Sequence, residues 1–138
     1  MFDILQDILI ITKIGKVLIS KVKNPQIEKD LLGKLVSALD TFCEDLSNEE
    51  LRQFEFSNIR FDLIKRKDII FLGSSSKDVK HKRVLKVLRY IIDLFFERFP
   101  EDYLNNWDGN IDLFRELEEY ITKTRDEMII ELLFREKK

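Results

Sequence analysis

Two short runs in this chain are apolar at every position. Ile8-Leu9-Ile10-Ile11 lies near the start, and Ile69-Ile70-Phe71-Leu72 lies mid-chain and stops at Gly73. Successive side chains of a strand point to opposite faces, so a strand with no polar position has to be covered on both sides. The neighbouring segments follow another rule: Phe54 and Phe56 alternate with Gln53, Glu55 and Ser57, and Ile59, Phe61 and Leu63 alternate with Arg60 and Asp62. Alternating strands lie nearer a sheet edge. The two all-apolar runs are therefore expected side by side at the centre of one sheet, with helical layers above and below.

The remaining elements fit around that centre. Thr12-Lys13-Ile14-Gly15 and Lys16-Val17-Leu18-Ile19 complete a hairpin. Its turn is read as three residues with Gly15 alone in the left-handed region, because a two-residue turn would force positive φ on β-branched Ile14. Asn24 is expected to cap the first helix, with Pro25 at its first position. Ile27, Leu31, Leu35, Leu39, Phe42 and Leu46 recur at helical spacing, widened by Leu32, Val36 and Cys43, and predict one buried face. Ser57-Asn58 and Arg66-Lys67-Asp68 are turns of a three-stranded meander. Val84, Leu88, Ile91, Ile92, Phe95 and Phe99 mark a helix ended by Pro100. A loop through Asn105, Asn106 and Gly109 leads to a helix capped by Asn110, with Phe114, Leu117 and Ile121 inward and an apolar cluster from Met128 to Phe134. The order is β-β-α-β-β-β-α-α. It predicts a three-layer α/β/α sandwich (α/β, or α+β) around a five-stranded sheet of mixed direction in the order 2-1-5-4-3. One domain spans 1–138, with an apolar C-terminal extension at about 128–138.

Composition narrows the class. The 138 residues carry 24 basic and 26 acidic side chains, a net charge of −2, and a surface given over wholly to nucleic acid is excluded. With 44% hydrophobic residues and only 4 Gly and 2 Pro, a disordered or linker-rich chain is excluded too. Cys43 is the single cysteine, so no internal disulfide forms, which fits a reducing compartment. No apolar run approaches the roughly 18–20 residues of a membrane span. Neither a signal peptide nor a lipidation motif is present, and a cytoplasmic protein, peripheral at membranes at most, is expected.

The run Leu9-Ile10-Ile11-Thr12-Lys13-Ile14-Gly15-Lys16-Val17-Leu18-Ile19-Ser20-Lys21 resembles the opening hairpin of longin domains and, less closely, of the small chains of clathrin adaptors. Phe54 through Gly73 resembles the aromatic-rich meander of the same family. The resemblance covers about Ile8 to Ile121 and implies a longin-like, profilin-like fold. The related roadblock fold places a helix before its first strand and one helix at its end. Here only Met1–Asp7 precede the first strand and two helices follow the sheet, which favours longin. Longin SNAREs continue into a heptad segment, and none is seen here up to Lys138.

Side chains suited to chemistry are scattered. His81 stands among Lys80, Lys82 and Arg83 and reads as an exposed helix-start residue. Cys43 reads as a buried small hydrophobe. Gly73-Ser74-Ser75-Ser76-Lys77 lacks the second Gly of a phosphate-binding loop and reads as a solvated loop ending in a serine or Asp78 cap. Glu118 and Glu119 point apart and read as solvated surface. No cysteine–histidine cluster or acidic loop has metal spacing. No catalytic, cofactor or metal residue is assigned, and the chain is not expected to be an enzyme.

Three surfaces remain. Residues 77–89 carry a net charge of +5 from Lys77, Lys80, Lys82, Arg83, Lys86 and Arg89 against Asp78, while residues 97–119 carry −6. The basic stretch is a candidate for an anionic membrane surface or an acidic partner. The two sheet edges are candidates for strand addition, with Val17 and Ile19 on one side and Phe54 and Phe56 on the other. Met128, Leu132 and Phe134 form a candidate tail interface. The longin resemblance implies pairing with another longin-like or roadblock-like domain, or a peptide held between the first helix and the third strand. The expected role is a non-catalytic adaptor or scaffold in vesicle trafficking or small-GTPase regulation. Alternatives are one subunit of a longin-pair GTPase regulator and a peripheral membrane-binding module. Partners are expected to be protein (a longin-like domain, a small GTPase, a trafficking peptide or a second copy) or an anionic membrane, with no nucleic acid and no cofactor.

Overall fold

The computed structural model describes residues 5–24, 27–56, 58–100, 102, 104 and 107–121. Strands β1 (Asp7–Thr12) and β2 (Val17–Lys21) form the hairpin, helix α1 (Lys29–Ser47) follows, and β3 (Gln53–Phe56), β4 (Ile59–Arg66) and β5 (Ile69–Ser76) form the meander. Helix α2 (His81–Arg98) comes next, then a 3₁₀ turn at Ile111–Phe114 that continues as helix through 115–121. The sheet order is β2-β1-β5-β4-β3, as the all-apolar runs required. Ile8, Ile10, Ile69 and Phe71 face α2 together with Phe114, Leu117 and Ile121. Leu9, Ile11, Ile70 and Leu72 face α1 with Phe61 and Leu63.

The sheet is antiparallel throughout, not mixed. The hairpin and the meander each force neighbours to alternate, so the only open choice was β5 against β1. Helix α1, about 28 Å long at 1.5 Å per residue, returns the chain to the end where β2 began. That starts β3 parallel to distant β2 and brings β5 beside β1 in the opposite sense.

Turn chemistry follows the residues. Gly15 alone has positive φ in the first hairpin, at 95°, and the chain is closed there by Gly15 N–H donating to the Thr12 carbonyl at 2.9 Å. Lys67 and Asp68 both take positive φ between β4 and β5. Helix α1 begins later than Asn24-Pro25 predicts. Buried Asp7 accepts the main-chain N–H groups of Lys23 and Asn24 at 2.7 and 3.2 Å, which ties that segment to the sheet. The cap is instead Glu28, whose carboxylate accepts from Asp30 and Leu31. At the far end Asn110 caps the 3₁₀ turn by accepting from Asp112 N–H at 3.0 Å, as expected.

The serine run after Gly73 is not a solvated loop. It continues β5, with Ser74 and Ser75 buried, because the strand lies between β1 and β4 and both neighbours extend that far. Ser74 Oγ donates to Asp7 at 2.7 Å, and Ser75 Oγ accepts from Arg60 at 3.1 Å. The N-cap of α2 is Lys80, with no side-chain capping bond, rather than a serine or Asp78.

Candidate functional site

The apolar stripe of α1 points the wrong way for a core. Leu31 is 66% exposed and Leu46 71%, and Leu35 and Phe42 are also exposed. The face turned to the sheet carries Gly33, Val36 and Asp40. Two fixed points cause this rotation. Gly33 lies against the first hairpin so closely that a Cβ there would sit 2.8 Å from the Gly15 carbonyl oxygen. Asp40 accepts from Lys65 Nζ at 2.9 Å and from Leu51 N–H at 3.2 Å, and Lys65 also donates to Glu44. Burial alone would weaken the proton affinity of Lys65, but the hydrogen bonds and charges of Glu44 and Asp40 outweigh it and hold its pKa well above the ordinary lysine range. Cys43, expected to be buried, is half-buried for the same reason.

Beside this outward stripe lies β3. Phe54 stacks on Phe61, with ring centroids 4.7 Å apart, and belongs half to the core. Phe56 stands 72% exposed. Together with Ile27, Leu31 and Leu35 they line a cleft of about 360 Å³. β3 ends the sheet, and among the described residues no main chain pairs with its outer edge.

The opposite edge is sealed. Glu118, half-buried rather than solvated, accepts the Ser20 N–H of β2 at 3.0 Å. Lys16 donates to the Gly109 carbonyl at 2.8 Å and lies 5.1 Å from the ring centre of Trp107, whose indole N–H donates to Asn110 at 2.9 Å. Trp107 thus anchors the loop. Val17 is half-buried against the α1-side core and Ile19 is fully buried, so neither joins Phe54 and Phe56 in one surface.

The basic stretch is divided by the helix. Lys77 is paired with Glu55 at 3.1 Å. Lys82, Lys86 and Arg89 share one face of α2 by their i, i+4, i+7 spacing, and Arg83 falls outside it. Lys80 precedes the helix. His81 is half-exposed, and its Nδ1 lies 2.7 Å from fully buried Asp62, which also accepts from Arg60 and Gln53. Met128, Leu132 and Phe134 lie outside the described residues. Among the described residues no group of acids, histidines and cysteine is arranged to hold a metal, and no helix is long and apolar enough to cross a membrane.

These elements define a longin/roadblock-like fold. Solved structures of similar fold include the gliding protein MglB of Thermus thermophilus, 14% identical with a TM-score of 0.50 over 59% of this chain and 67% of that one. A Roadblock/LC7 domain from Streptomyces avermitilis is 10% identical, with a TM-score of 0.52 over 67% of this chain and 87% of its own. A component of a full-length AP-3 complex is 14% identical, with a TM-score of 0.56 over 96% of this chain and 94% of its own. No protein-family model matches the sequence, and no curated protein matches it.

Sequence reasoning missed the outward role of Leu31, Leu35, Phe42 and Leu46. The signal was the opposite side of the same helix: Gly33 and Asp40 lie about two turns apart on the side away from the stripe, and suit a close backbone approach and a buried ion pair, not solvent.

Proposed function

We propose that this chain is a non-catalytic protein-binding module, an adaptor or scaffold subunit in intracellular trafficking or small-GTPase regulation, and that it docks a longin-like or roadblock-like domain on the α1–β3 face. The observation that carries the reading is the exposed stripe of Leu31, Leu35, Phe42 and Leu46 beside Phe56 and an open strand edge. Covering a side chain of this kind is worth about 1.5–3 kcal/mol each, and contiguous apolar patches of this sort mark interaction sites. An open edge adds main-chain hydrogen bonds to that gain. The likeness to a component of the AP-3 complex supports a role within a multi-protein assembly.

A photo-crosslinking amino acid placed at Leu35 or Phe56 in the full chain, expressed in its native cell, tests this. Both positions are expected to capture a defined protein partner, and Leu31→Glu with Leu46→Glu is expected to abolish capture. The same probe at Asp93, exposed on the far layer, serves as control. Equal capture from Asp93, or capture unaffected by the two glutamates, overturns the reading.

A further inference from the structure

The sheet edge is notched where β3 stops short of the end of β4. The ladder ends at Gln53 opposite Asp62, and one more bond joins Leu63 N–H to the Arg52 carbonyl at 2.9 Å. Among the described residues β4 then runs on to Arg66 without a strand neighbour on that side. Main-chain groups alternate direction along a strand, so the next N–H on the open side, that of Lys65, points into the notch. Helix α2 closes the other wall with His81, Leu85 and Arg89, leaving a cleft of about 260 Å³.

Three arginines line this cleft, Arg52, Arg66 and Arg89. None has a carboxylate partner among the described residues. The other two cations of β4 are treated differently: Arg60 is held by Asp62 at 3.1 Å, and Lys65 by Asp40 and Glu44. Glu50 is the one acid in the cleft lining, and His81 is already engaged by Asp62. Lys82 adds positive charge on the α2 face that Arg89 shares. Gathering like charges costs free energy unless something compensates them. Planar guanidinium forks with a main-chain N–H between them match the oxygens of a phosphate.

We propose that this notch binds a phosphomonoester carried on a small polyol, either free in solution or as the headgroup of a lipid. The cleft is near the lower limit of small-ligand sites, about 300 Å³, which suits a single phosphorylated ring and not a folded partner. Its residues are separate from those of the α1–β3 face, so the two sites can be disabled independently.

The test uses the full chain with two probes. Inositol trisphosphate is titrated by calorimetry, and flotation is measured on phosphatidylcholine vesicles containing either phosphatidylinositol bisphosphate or charge-matched phosphatidylserine. The variant is Arg52→Gln with Arg66→Gln and Arg89→Gln, all exposed positions. The control removes equal charge elsewhere through Lys13→Gln, Lys34→Gln and Arg83→Gln. The notch variant is expected to weaken binding by about tenfold or more, and the control to leave it within about twofold of wild type. Arg66→Gln alone is expected to give part of the loss, which keeps the test open if the triple variant folds poorly. Binding of the soluble trisphosphate identifies a free ligand, and binding confined to bisphosphate vesicles identifies a headgroup. No binding of either probe, equal flotation on phosphatidylserine, or equal loss in the control overturns the site.

Discussion

Asp40 is a carboxylate on the sheet side of α1, almost without solvent, and Lys65 is the cation that answers it. Glu44 shares the same ammonium from one helical turn further on. The three charges pin α1 to β4. Removing the lysine strands a buried carboxylate, so Lys65→Met is expected to lower stability to urea by about 3 kcal/mol. Adding Asp40→Leu to Lys65→Met is expected to restore most of that, since the half-exposed Glu44 can be solvated. A double variant no better than the single would show that the apolar pair does not fit the site. The pH dependence has a definite sign. The folded state raises the lysine pKa, so the contribution is complete below the ordinary lysine value of about 10.4 and is lost as pH rises through the higher folded value. Wild-type and Lys65→Met unfolding free energies are therefore expected to converge at strongly alkaline pH and to stay apart from neutrality up to about 10. No pattern in the sequence announced this pair. Asp40 and Lys65 are 25 residues apart, and each reads alone as a surface charge.

Among the elements, α1 separates what periodicity reveals from what it leaves open. The stripe Leu31, Leu35, Leu39, Phe42 and Leu46 correctly signals a helix, because only a helix collects those positions on one side. It does not say whether the sheet or a partner covers that side. The sheet takes the face with the smallest side chain, since Gly33 lets the helix backbone approach the Gly15 turn. In an open helix Gly→Ala stabilises by about 1 kcal/mol. Here the added Cβ would lie 2.8 Å from a main-chain oxygen and 3.1 Å from Val17, so something must move. Gly33→Ala is expected to destabilise by about 1–2 kcal/mol, seen as a lower midpoint of thermal unfolding. A raised midpoint would mean that α1 can lift from the hairpin at no cost. The strands were more legible. Burial on both faces leaves Ile8–Ile11 and Ile69–Leu72 no polar position, and that marks the sheet centre without further information. The continuation of β5 through Ser74 and Ser75 was hidden because their polarity is answered by Asp7 and Arg60, residues remote in sequence.

For the molecule as a whole, the decisive property is that its two sheet edges are unlike. Among the described residues β3 is open, with Phe56 and the outward stripe of α1 beside it, whereas β2 is closed by the segment after α2. The closure rests on few groups: Glu118 on the Ser20 N–H, and Lys16 between Gly109 and Trp107. From the sequence both edges were equivalent, since the two ends of the Ser20–Glu118 bond are 98 residues apart. A sheet with both edges open can be extended in either direction and form chains, while a sealed edge leaves one side for strand addition. Glu118→Ala removes the acceptor and is expected to speed amide hydrogen exchange at Ser20 by about tenfold, the equivalent of a charge-assisted hydrogen bond of about 1.5 kcal/mol. Amides in the β1–β5 ladder should be unaffected. Glu119→Ala, one residue on and exposed, is expected to leave Ser20 at the wild-type rate. If Glu118→Ala also leaves it unchanged, the carboxylate is not what closes this edge, and β2 as well as β3 has to be counted as a surface to which a partner can add a strand.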